Sequence, residues 1–314
     1  MKKSSEAING LLLLDKPRGI SSNQAVGRVK RLFNAAKVGH TGTLDPEASG
    51  LLPLCLGEAT KFASYLLEGD KEYLARVRLG ITTTTGDSEG EIIAEHPVRV
   101  TVDQLSALCV KFCGEMEQVP PMYSALKHNG QPLYAYARLG VEIDRPARKV
   151  MIYEVEISDY DPLQQEFTLR ALVSKGTYIR TLAEDIGVFL GCGASLTALR
   201  RTKTNNFNLD YAYTIDQLEE FKAAGDLACR LLPIDTLTSS LAKLSLTPSQ
   251  FAVISFGNIL YLDEPLADLE LNSEVNLFAG ANYLGVGRYL GESGRWLLHP
   301  RRLVANLTKL TPWP

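Results

Sequence analysis

The segment Gly39-His40-Thr41-Gly42-Thr43-Leu44-Asp45-Pro46 lies between a predicted helix and a leucine-rich predicted strand. Its two glycines permit backbone conformations that are closed to other residues, and its two threonines supply hydroxyls for local hydrogen bonds. Asp-Pro and Gly-Thr pairs are also typical of an ordinary surface turn. The segment is long, however, and nearly every residue in it has a chemical use. Because functional groups concentrate on loops that a rigid scaffold positions, we interpret it as the candidate active-site loop.

The composition predicts a globular protein of about two domains. The chain has 314 residues, of which 45% are apolar and 22% charged, and these fractions are ordinary for a soluble protein. No apolar run approaches the ~20 residues that cross a bilayer, and the start MKKSSEAING lacks the apolar core of a signal peptide. Five cysteines without a CxxC pair indicate a reduced compartment. We therefore expect a cytoplasmic protein with no membrane association.

The net charge of −3 would argue against a nucleic-acid partner if it were spread evenly. Residues 1–80 nevertheless hold 12 basic and 8 acidic side chains, and five basic residues between Arg288 and Lys309 are opposed only by Glu292. Such local excesses are able to contact a phosphate backbone while the rest of the surface stays acidic. Uneven charge on solvated faces is the alternative explanation.

The segments around the loop predict alternating strands and helices. Leu11–Leu14 is a buried strand that ends before Pro17, and the serines at 21 and 22 cap a helix that runs to about Phe33. Leu51–Leu56 is an apolar strand whose Pro53 suggests a sheet edge or a bulge. Lys71–Leu79 alternates cleanly between two faces. Further strands are expected at Val150–Ile157, Phe167–Val173 and Leu196–Arg201, and further helices at residues 101–114, 179–190 and 214–224.

The pattern changes near residue 240, where we place a domain boundary between residues 1–240 and 241–314. Beyond it, short apolar segments separated by glycine- and proline-bearing turns are typical of a small β-barrel. These segments are Phe251–Ser255, Val275–Leu277, Tyr283–Arg288 and Arg295–Leu298. The fold class that we expect is α+β: a mixed, largely antiparallel sheet flanked by helices, followed by a small C-terminal β-barrel domain.

Motifs for metal or cofactor chemistry are missing from the sequence. The four histidines are scattered, and no HExxH, phosphate-binding GxxxxGK[ST] or GxSxG motif occurs. Asp45 is then the obvious reactive group, because an ionised carboxylate attacks an electrophilic carbon or stabilises a cationic sugar. Arg180, at the start of a predicted helix, is the best cationic partner. Tyr73 is able to stack on a planar ligand or accept a proton, although an ordinary core tyrosine is the simpler reading.

At these positions the sequence resembles bacterial TruB-type tRNA pseudouridine synthases. The resemblance covers about residues 9–240, with a weaker match of the tail to the PUA-like barrel that ends these enzymes. It rests on four blocks in the same order and spacing: Leu11–Pro17 (LLLLDKP), Gly39–Pro46 (GHTGTLDP), Gly50–Lys61 (GLLPLCLGEATK) and Ser174–Thr181 (SKGTYIRT).

The resemblance implies a role for each matching residue. Asp45 matches the catalytic aspartate, Tyr73 matches the tyrosine that packs on the target uracil and removes its C5 proton, and Arg180 matches the arginine that pairs with the aspartate. The other matching positions are His40, which matches the histidine that contacts the flipped-out nucleotide, Tyr178 and Leu199 in the uridine pocket, and Lys16, whose role is structural.

The resemblance also implies a substrate, the T-loop uridine at position 55 of tRNA, which is isomerised to pseudouridine after base flipping. It implies no metal or organic cofactor, no obligate protein partner and a monomeric enzyme. Residues 124–149 match an insertion that clamps the T arm of the tRNA.

Two alternatives remain open at this point. A glycoside or nucleoside hydrolase usually needs two cooperating carboxylates, whereas the sequence suggests only one, together with a tyrosine. A tRNA-folding chaperone would act by binding alone.

Overall fold

The structure of the chain, a computed structural model, describes residues 8–292, 294–307 and 310. Met1–Ala7, at the start of the predicted first domain, and Lys309, in the C-terminal basic segment, lie outside these residues. The strands are β1 (Gly10–Lys16), β2 (Val38–His40), β3 (Ser49–Leu56), β4 (Lys71–Leu79), β5 (Ile81–Thr83), β6 (Ile92–Glu95), β7 (Gly114–Gln118), β8 (Lys127–His128), β9 (Gln131–Pro132), β10 (Arg148–Asp161), β11 (Glu166–Val173), β12 (Ala194–Thr204), β13 (Phe207–Asn208), β14 (Ala242–Ser245), β15 (Leu260–Leu262), β16 (Glu274–Ala279), β17 (Asn282–Glu292) and β18 (Arg295–Leu303).

The α-helices are α1 (Ser22–Leu32), α2 (Ser64–Leu67), α3 (Val102–Lys111), α4 (Leu133–Ala137), α5 (Ile179–Leu190), α6 (Ile215–Ala223) and α7 (Pro248–Ile254). Short 3₁₀ helices lie at Gly57–Phe62, Leu209–Tyr211, Ala228–Arg230 and Ile234–Thr238. The sequence of Gly57–Glu68 predicts one helix after β3, and the structure has a 3₁₀ helix at Gly57–Phe62 and the short α2 in its place. None of the helices in the described ranges is long and apolar enough to span a membrane.

A nine-stranded sheet organises the larger part of the chain. Its main order is β1-β3-β12-β4-β11-β10-β7, with β2 paired to β3 and β13 paired to β12. Every neighbouring pair is antiparallel except β3 and β12, which run parallel where Ser49 and Gly50 meet Arg200 and Arg201. The predicted mixed, largely antiparallel sheet is therefore confirmed.

The prediction that Pro53 marks an edge or a bulge is wrong, because β3 lies inside the sheet between β1 and the pair β2 and β12. Pro53 is opposite Leu13 of β1, and its carbonyl accepts a hydrogen bond from the Thr41 N–H on the other side, at 3.1 Å. A residue's N and C=O face the same edge of a strand. The proline nitrogen therefore faces the gap between β12 and β2, where no sheet hydrogen bond is lost.

Two cores on the sheet meet next to the active-site loop. One packs α3 and α5 on β4, β11 and β12, and the other packs α1 and α6 on β1 and β3. The start of α1 is fixed as the sequence predicts, since Ser21 and Gln24 form a reciprocal capping box. Tyr73 on β4 and Leu199 on β12 pack against both cores, which places the junction of the two cores beside the site.

A third core joins the two sheets of the molecule. Leu11 on β1 and Cys55 on β3 are fully buried on the face opposite α1, together with Phe62. Val286 and Tyr283 of the C-terminal sheet belong to the same cluster. The first sheet therefore completes part of its core with residues from β17.

The C-terminal residues form a five-stranded sheet in the order β14-β16-β17-β18-β15. Only β14 and β16 are parallel. In the described part of the chain no pairing joins β14 to β15, so hydrogen bonds do not close this sheet into a ring. The predicted C-terminal β domain is thus present, and three of its four expected apolar segments are strands.

The fourth segment was predicted wrongly. Phe251–Ser255 falls in and just after helix α7, which Thr247 and Gln250 begin with a capping box and Pro248 opens at its first position. Threonine, proline and glutamine at this spacing are a helix-start signal. That signal outweighs the β-propensity of the phenylalanine, valine and isoleucine that follow.

Candidate active site

Helix α1 and strand β3 hold the active-site loop from two sides. Ser22, the first residue of α1, donates its hydroxyl to the Leu44 carbonyl at 2.9 Å and accepts from the Leu44 N–H at 2.8 Å. On the other side, the Thr41 N–H and hydroxyl both reach the Pro53 carbonyl. The backbone on each side of Thr43 is therefore fixed by neighbouring elements.

Lys16 braces the end of the loop. Its side chain is fully buried, and Nζ donates to the carbonyls of Pro17, Ile20 and Pro46 at 2.9, 2.7 and 3.2 Å. Burial lowers the pKa of Lys16 to about 8, while the negative charge of Asp45 opposes that fall. These bonds hold the residue that directly follows the candidate nucleophile, in agreement with the structural role expected for Lys16.

Arg201 on β12 holds the active-site loop through hydrogen bonds, a role that the sequence does not reveal. The residue is 1% exposed, and it donates Nε to the Leu51 carbonyl at 2.7 Å and Nη2 to the Gly42 carbonyl at 3.3 Å. β12 and β3 approach so closely here that a Cβ on Gly50, whose φ is +101°, would lie 2.2 Å from the Arg201 carbonyl oxygen. Only glycine fits this contact.

Asp45 and Arg180 form the predicted ion pair, and a second carboxylate shares the arginine. Arg180 Nη2 lies 3.2 Å from Asp45 Oδ2, and Nη1 lies 3.5 Å from Asp87 Oδ2. The side chain of Arg180 is only 6% exposed, that of Asp87 14%, and that of Asp45 40%, facing the cleft. Of the three groups, the candidate nucleophile is thus the most accessible.

Two backbone carbonyls complete the surroundings of Arg180. Its guanidinium donates Nη1 to the Thr85 carbonyl at 2.9 Å and Nη2 to the Tyr123 carbonyl at 2.5 Å. The arginine lies in the first turn of α5, two residues after Tyr178, whose backbone N–H and C=O both bond the buried amide of Gln118. A planar group with five donors suits four acceptors in this arrangement.

The surroundings of Asp45 give this carboxylate a higher pKa than it would have on the protein surface. Burial raises the pKa of Asp45 and Asp87 adds to the rise, whereas the positive charges of Arg180 and Lys16 oppose it. The rise occurs although the carboxylate is open to the cleft, because protein surrounds it on its other sides. A carboxylate that is poorly solvated is a stronger nucleophile and base than one in bulk water.

Asp87 is the main site residue that the sequence analysis missed, and the expectation of a single carboxylate is wrong. The sequence of the segment Gly86-Asp87-Ser88-Glu89-Gly90 predicts only a hairpin-type connection into Ile92 and Ile93. Its Asp87 side chain accepts from the Thr85 hydroxyl at 2.5 Å and from the Glu89 N–H at 3.1 Å. The signal that pointed to Gly39–Pro46, an aspartate among glycines and hydroxyls, is present in this segment too.

His40 lines the same cleft as Asp45 and Arg180. Its Nδ1 accepts the Gly42 N–H at 3.3 Å, and burial together with the charge of Arg201 lowers its pKa. The imidazole is therefore neutral at physiological pH and carries its proton on Nε2. This arrangement suits a hydrogen-bonding contact better than acid catalysis.

Leu199 and Tyr178 also lie close to the reactive pair, whereas Tyr73 lines neither recess that holds this pair. Leu199 lines a small recess together with Asp45 and Arg180, and the charge of Asp45 contributes to a raised pKa of Tyr178 that burial dominates. Tyr73 is half-buried on β4 opposite Arg201, and it does not line either recess in the described residues.

The cleft in front of Asp45 has a volume of about 460 Å³. One wall comes from the active-site loop and the other from the segment around β8, β9 and α4. That second wall contributes Lys127, Tyr134 and Arg138, and the Arg138 guanidinium lies over the Tyr134 ring at 5.4 Å from its centroid. Cations interleaved with aromatic rings are typical of surfaces that contact single-stranded nucleic acid.

Groups of three or more His, Cys, Asp or Glu side chains that could hold a metal ion do not occur in the described ranges. The groups that the cleft presents are one accessible carboxylate, a bridging arginine, a second carboxylate, and hydroxyl and aromatic side chains.

Sequence comparisons place this geometry in a known family. Residues 30–179 match the model of the TruB family pseudouridylate synthase N-terminal domain, and residues 180–239 match the tRNA pseudouridylate synthase B C-terminal domain. The chain is 50% identical over 302 residues to the tRNA pseudouridine synthase B of Azoarcus sp. (strain BH72), with 96% of each chain covered. The chain belongs to the TruB family of pseudouridylate synthases. It is accordingly an isomerase.

Other relatives agree with this assignment. The tRNA pseudouridine synthase B of Chromobacterium violaceum is 48% identical over 95% of each chain. Among solved structures, the one described as a Cbf5-Nop10-Gar1 complex is similar at 26% identity and a TM-score of 0.71, covering 94% of this chain and 84% of the other. The pseudouridine synthase fold expected from the sequence is thus confirmed for this TruB family chain.

Proposed function

We propose that the chain isomerises uridine to pseudouridine in the T loop of tRNA, at position 55, with Asp45 as the nucleophile. The observation that carries the proposal is the Arg180–Asp45 pair at 3.2 Å, with the carboxylate open to a cleft that cations and aromatic rings line. The family membership and the names of the relatives, which are tRNA pseudouridine synthases, support tRNA as the substrate.

In this reaction the bond between N1 of uracil and C1′ of ribose breaks, and a bond from C5 to C1′ forms. The proton on C5 leaves and N1 gains one, so no atoms are added or lost. Asp45 either adds to the nucleotide or takes a ribose proton to give a glycal. Either route needs one carboxylate and one proton acceptor, and we assign the C5 proton to Tyr73.

The substrate must present its uridine outside the folded loop. Base flipping costs a few kcal/mol, and recognition of the surrounding RNA rests mainly on shape and backbone contacts. We assign His40, Tyr178 and Leu199 to contacts with the flipped nucleotide, and residues 124–149 to clamping of the T arm. We further propose a catalytic domain over residues 1–240, an RNA-binding PUA-like domain over 241–314, and a cytoplasmic monomer that works without a cofactor or an obligate protein partner.

The decisive experiment is the variant Asp45→Asn, assayed for pseudouridine on a T-arm stem-loop. We expect turnover to be abolished and RNA binding to be largely retained, because the amide keeps the size of the side chain but cannot act as the nucleophile or base. Substantial turnover by this variant would show that the role given to Asp45 is wrong.

The second carboxylate makes an RNA N-glycoside hydrolase the first alternative, since Asp45 and Asp87 flank one arginine. Mass spectrometry of the RNA distinguishes the two reactions. A hydrolase releases free uracil and leaves an abasic site, whereas isomerisation leaves the mass unchanged.

The other alternative is a tRNA-folding chaperone that acts by binding alone. Equal rescue of tRNA function by the wild type and by Asp45→Asn would favour it. The chemical mapping of pseudouridine in T-arm RNA exposed to the wild type is the direct test, because a chaperone leaves no modification.

A further inference from the structure

One buried hydroxyl in the cleft makes no hydrogen bond of ordinary geometry in the part of the chain that the structure describes. Ser124 is 4% exposed, and its Oγ contacts no donor or acceptor with hydrogen-bond geometry. The residue nonetheless lines the cleft together with Asp45 and Arg180. Buried polar groups are nearly always paired, and an unpaired one destabilises a fold. Such an exception is expected where a ligand supplies the missing partner.

The backbone of Ser124 is firmly placed, so the free hydroxyl does not reflect a loose segment. Its N–H donates to the Met122 carbonyl at 2.9 Å, and its carbonyl accepts from the Tyr134 N–H at 3.1 Å. The neighbouring Tyr123 carbonyl is bonded to Arg180. The position of Ser124 is therefore tied directly to the arginine that pairs with the candidate nucleophile.

Ser124 also lies beside Tyr178. A hydrogen-bonding contact from the serine hydroxyl opposes the rise in the pKa of Tyr178 that burial causes, but this contact lies outside the geometry of an ordinary hydrogen bond. Two neutral hydroxyls next to each other, both close to the Asp45–Arg180 pair, form a site for a small polar group.

We propose that the Ser124 hydroxyl hydrogen-bonds the uracil ring of the nucleotide that enters the cleft, and that it holds the ring while the base is detached from the sugar. This inference rests on the proposed isomerase function. Uracil carries two carbonyl acceptors and one N–H donor at its edge. A hydroxyl donates one hydrogen bond and accepts two, and its hydrogen rotates freely. Ser124 is thus able to bond the ring both before and after it turns from N1 to C5.

The contact is to the base rather than to the RNA backbone because of where the charges lie. Ser124 is buried and lines the cleft together with the two carboxylates that share Arg180, which would repel a phosphate. The cations that suit phosphates, Lys127 and Arg138, line the same cleft with exposed side chains.

The test is Ser124→Ala, measured in single-turnover assays on T-arm RNA with a wild type that has already been shown to form pseudouridine. We expect the rate constant for isomerisation to fall by about fivefold to tenfold, as the loss of one neutral hydrogen bond does. RNA affinity should stay within twofold, because only the flipped base is affected. Ser124→Thr, which keeps the hydroxyl, should recover most of the rate.

A second measurement separates a ligand contact from a structural role. Ser22 is buried to a similar degree, at 3% exposed, but its hydroxyl makes two hydrogen bonds. Ser22→Ala should therefore lower the thermal unfolding temperature, whereas Ser124→Ala should leave it unchanged or raise it, because removing an unpaired hydroxyl costs no bond. A clear fall in the unfolding temperature of Ser124→Ala would overturn the inference.

The uracil contact itself is tested with RNA that carries 2-thiouridine or 4-thiouridine at the target position, since sulfur is a weaker acceptor than oxygen. With one of the two thio substrates, the wild type should isomerise more slowly than with uridine. Ser124→Ala should isomerise that thio substrate as fast as it isomerises uridine. Additive losses on both substrates, or weaker RNA binding by Ser124→Ala at an unchanged rate, would show that Ser124 does not hold the base. A wild type that forms no pseudouridine at all would instead refute the proposed function.

Discussion

Two arginines in this molecule each gather several carboxylates, one in the cleft and one on the open face of the sheet. Arg170 on β11 contacts Glu72, Glu154 and Glu156 at 2.7–3.0 Å, but its side chain is 35% exposed. Arg180 makes longer contacts, of 3.2 and 3.5 Å, and is 6% exposed. By distance alone, the ion pairs of Arg170 would be the stronger ones. Burial reverses this order of strength, because water screens the charges around Arg170 and is largely excluded from those around Arg180.

The difference is also visible in the acceptors that each arginine uses. In the described residues, the guanidinium of Arg170 donates hydrogen bonds to glutamate side chains on neighbouring strands, and such side chains change conformation easily. Arg180 adds two backbone carbonyls, from Thr85 and Tyr123, which belong to separate segments. The buried arginine therefore fixes the relative position of three chain segments, whereas the exposed one covers a sheet face.

Among the variants that test this comparison, the largest effect is expected for Arg180→Lys, which tests whether the forked geometry matters beyond the charge. A lysine cannot bridge two carboxylates and two carbonyls at once. The single-turnover rate constant should fall by on the order of 10²–10³-fold, the range found when a positioned group that supports the reacting charge is removed. Circular dichroism should show an intact fold, and a variant with more than half of the wild-type rate would contradict the role given to Arg180.

A smaller effect is expected for Asp87→Asn, which asks how the second carboxylate acts on the first. The negative charge of Asp87 helps to raise the pKa of Asp45. Without it, Asp45 stays ionised to a lower pH, so the acid limb of the pH–rate profile should move towards lower pH. The rate on the plateau should fall by about tenfold because Arg180 loses one anchor.

The matched control for the Asp87→Asn profile is Glu47→Gln, which removes a carboxylate that does not pair with Arg180 in the described residues. Its acid limb should move less than that of Asp87→Asn. A shift to higher pH in Asp87→Asn would mean that the aspartate does not act on Asp45 through its charge.

The smallest effect is expected for Arg170→Ala on the open face. Exposed ion pairs contribute about 0–1 kcal/mol each, and water replaces what the three glutamates lose. Urea denaturation should show a loss of free energy of unfolding of about 1 kcal/mol or less, and pseudouridine formation should be unchanged. A loss several times larger would mean that this network is not screened, and the comparison between the two arginines would fail.

Local signals in the sequence predicted much of this structure. The Ser21 cap placed α1, the alternation of Lys71–Leu79 placed β4, and Asp45 and Arg180 were paired correctly. Each of these rests on a pattern contained in a few residues, or on four blocks in a fixed order. The family and the mixed sheet followed from the same blocks.

Long-range contacts account for what the sequence did not reveal. Asp87 reaches Arg180 because its segment is hydrogen-bonded to β12, where the Leu196 N–H donates to the Gly86 carbonyl at 3.0 Å. The tolerance of Pro53 inside the sheet depends on a gap between two strands that are far apart in sequence. The unpaired hydroxyl of Ser124 is likewise a property of its surroundings, which no local pattern encodes.

The core that the two sheets share affects how the protein folds during its synthesis on the ribosome. Leu11 and Phe62 are among the first apolar residues to emerge, yet they pack in one cluster with Val286 from near the end of the chain. Since chains emerge amino terminus first, the part of this surface that Tyr283 and Val286 cover stays exposed until synthesis is almost complete. A nascent chain arrested before β17 should therefore bind a chaperone such as a holdase at this surface, and one released after β18 should not.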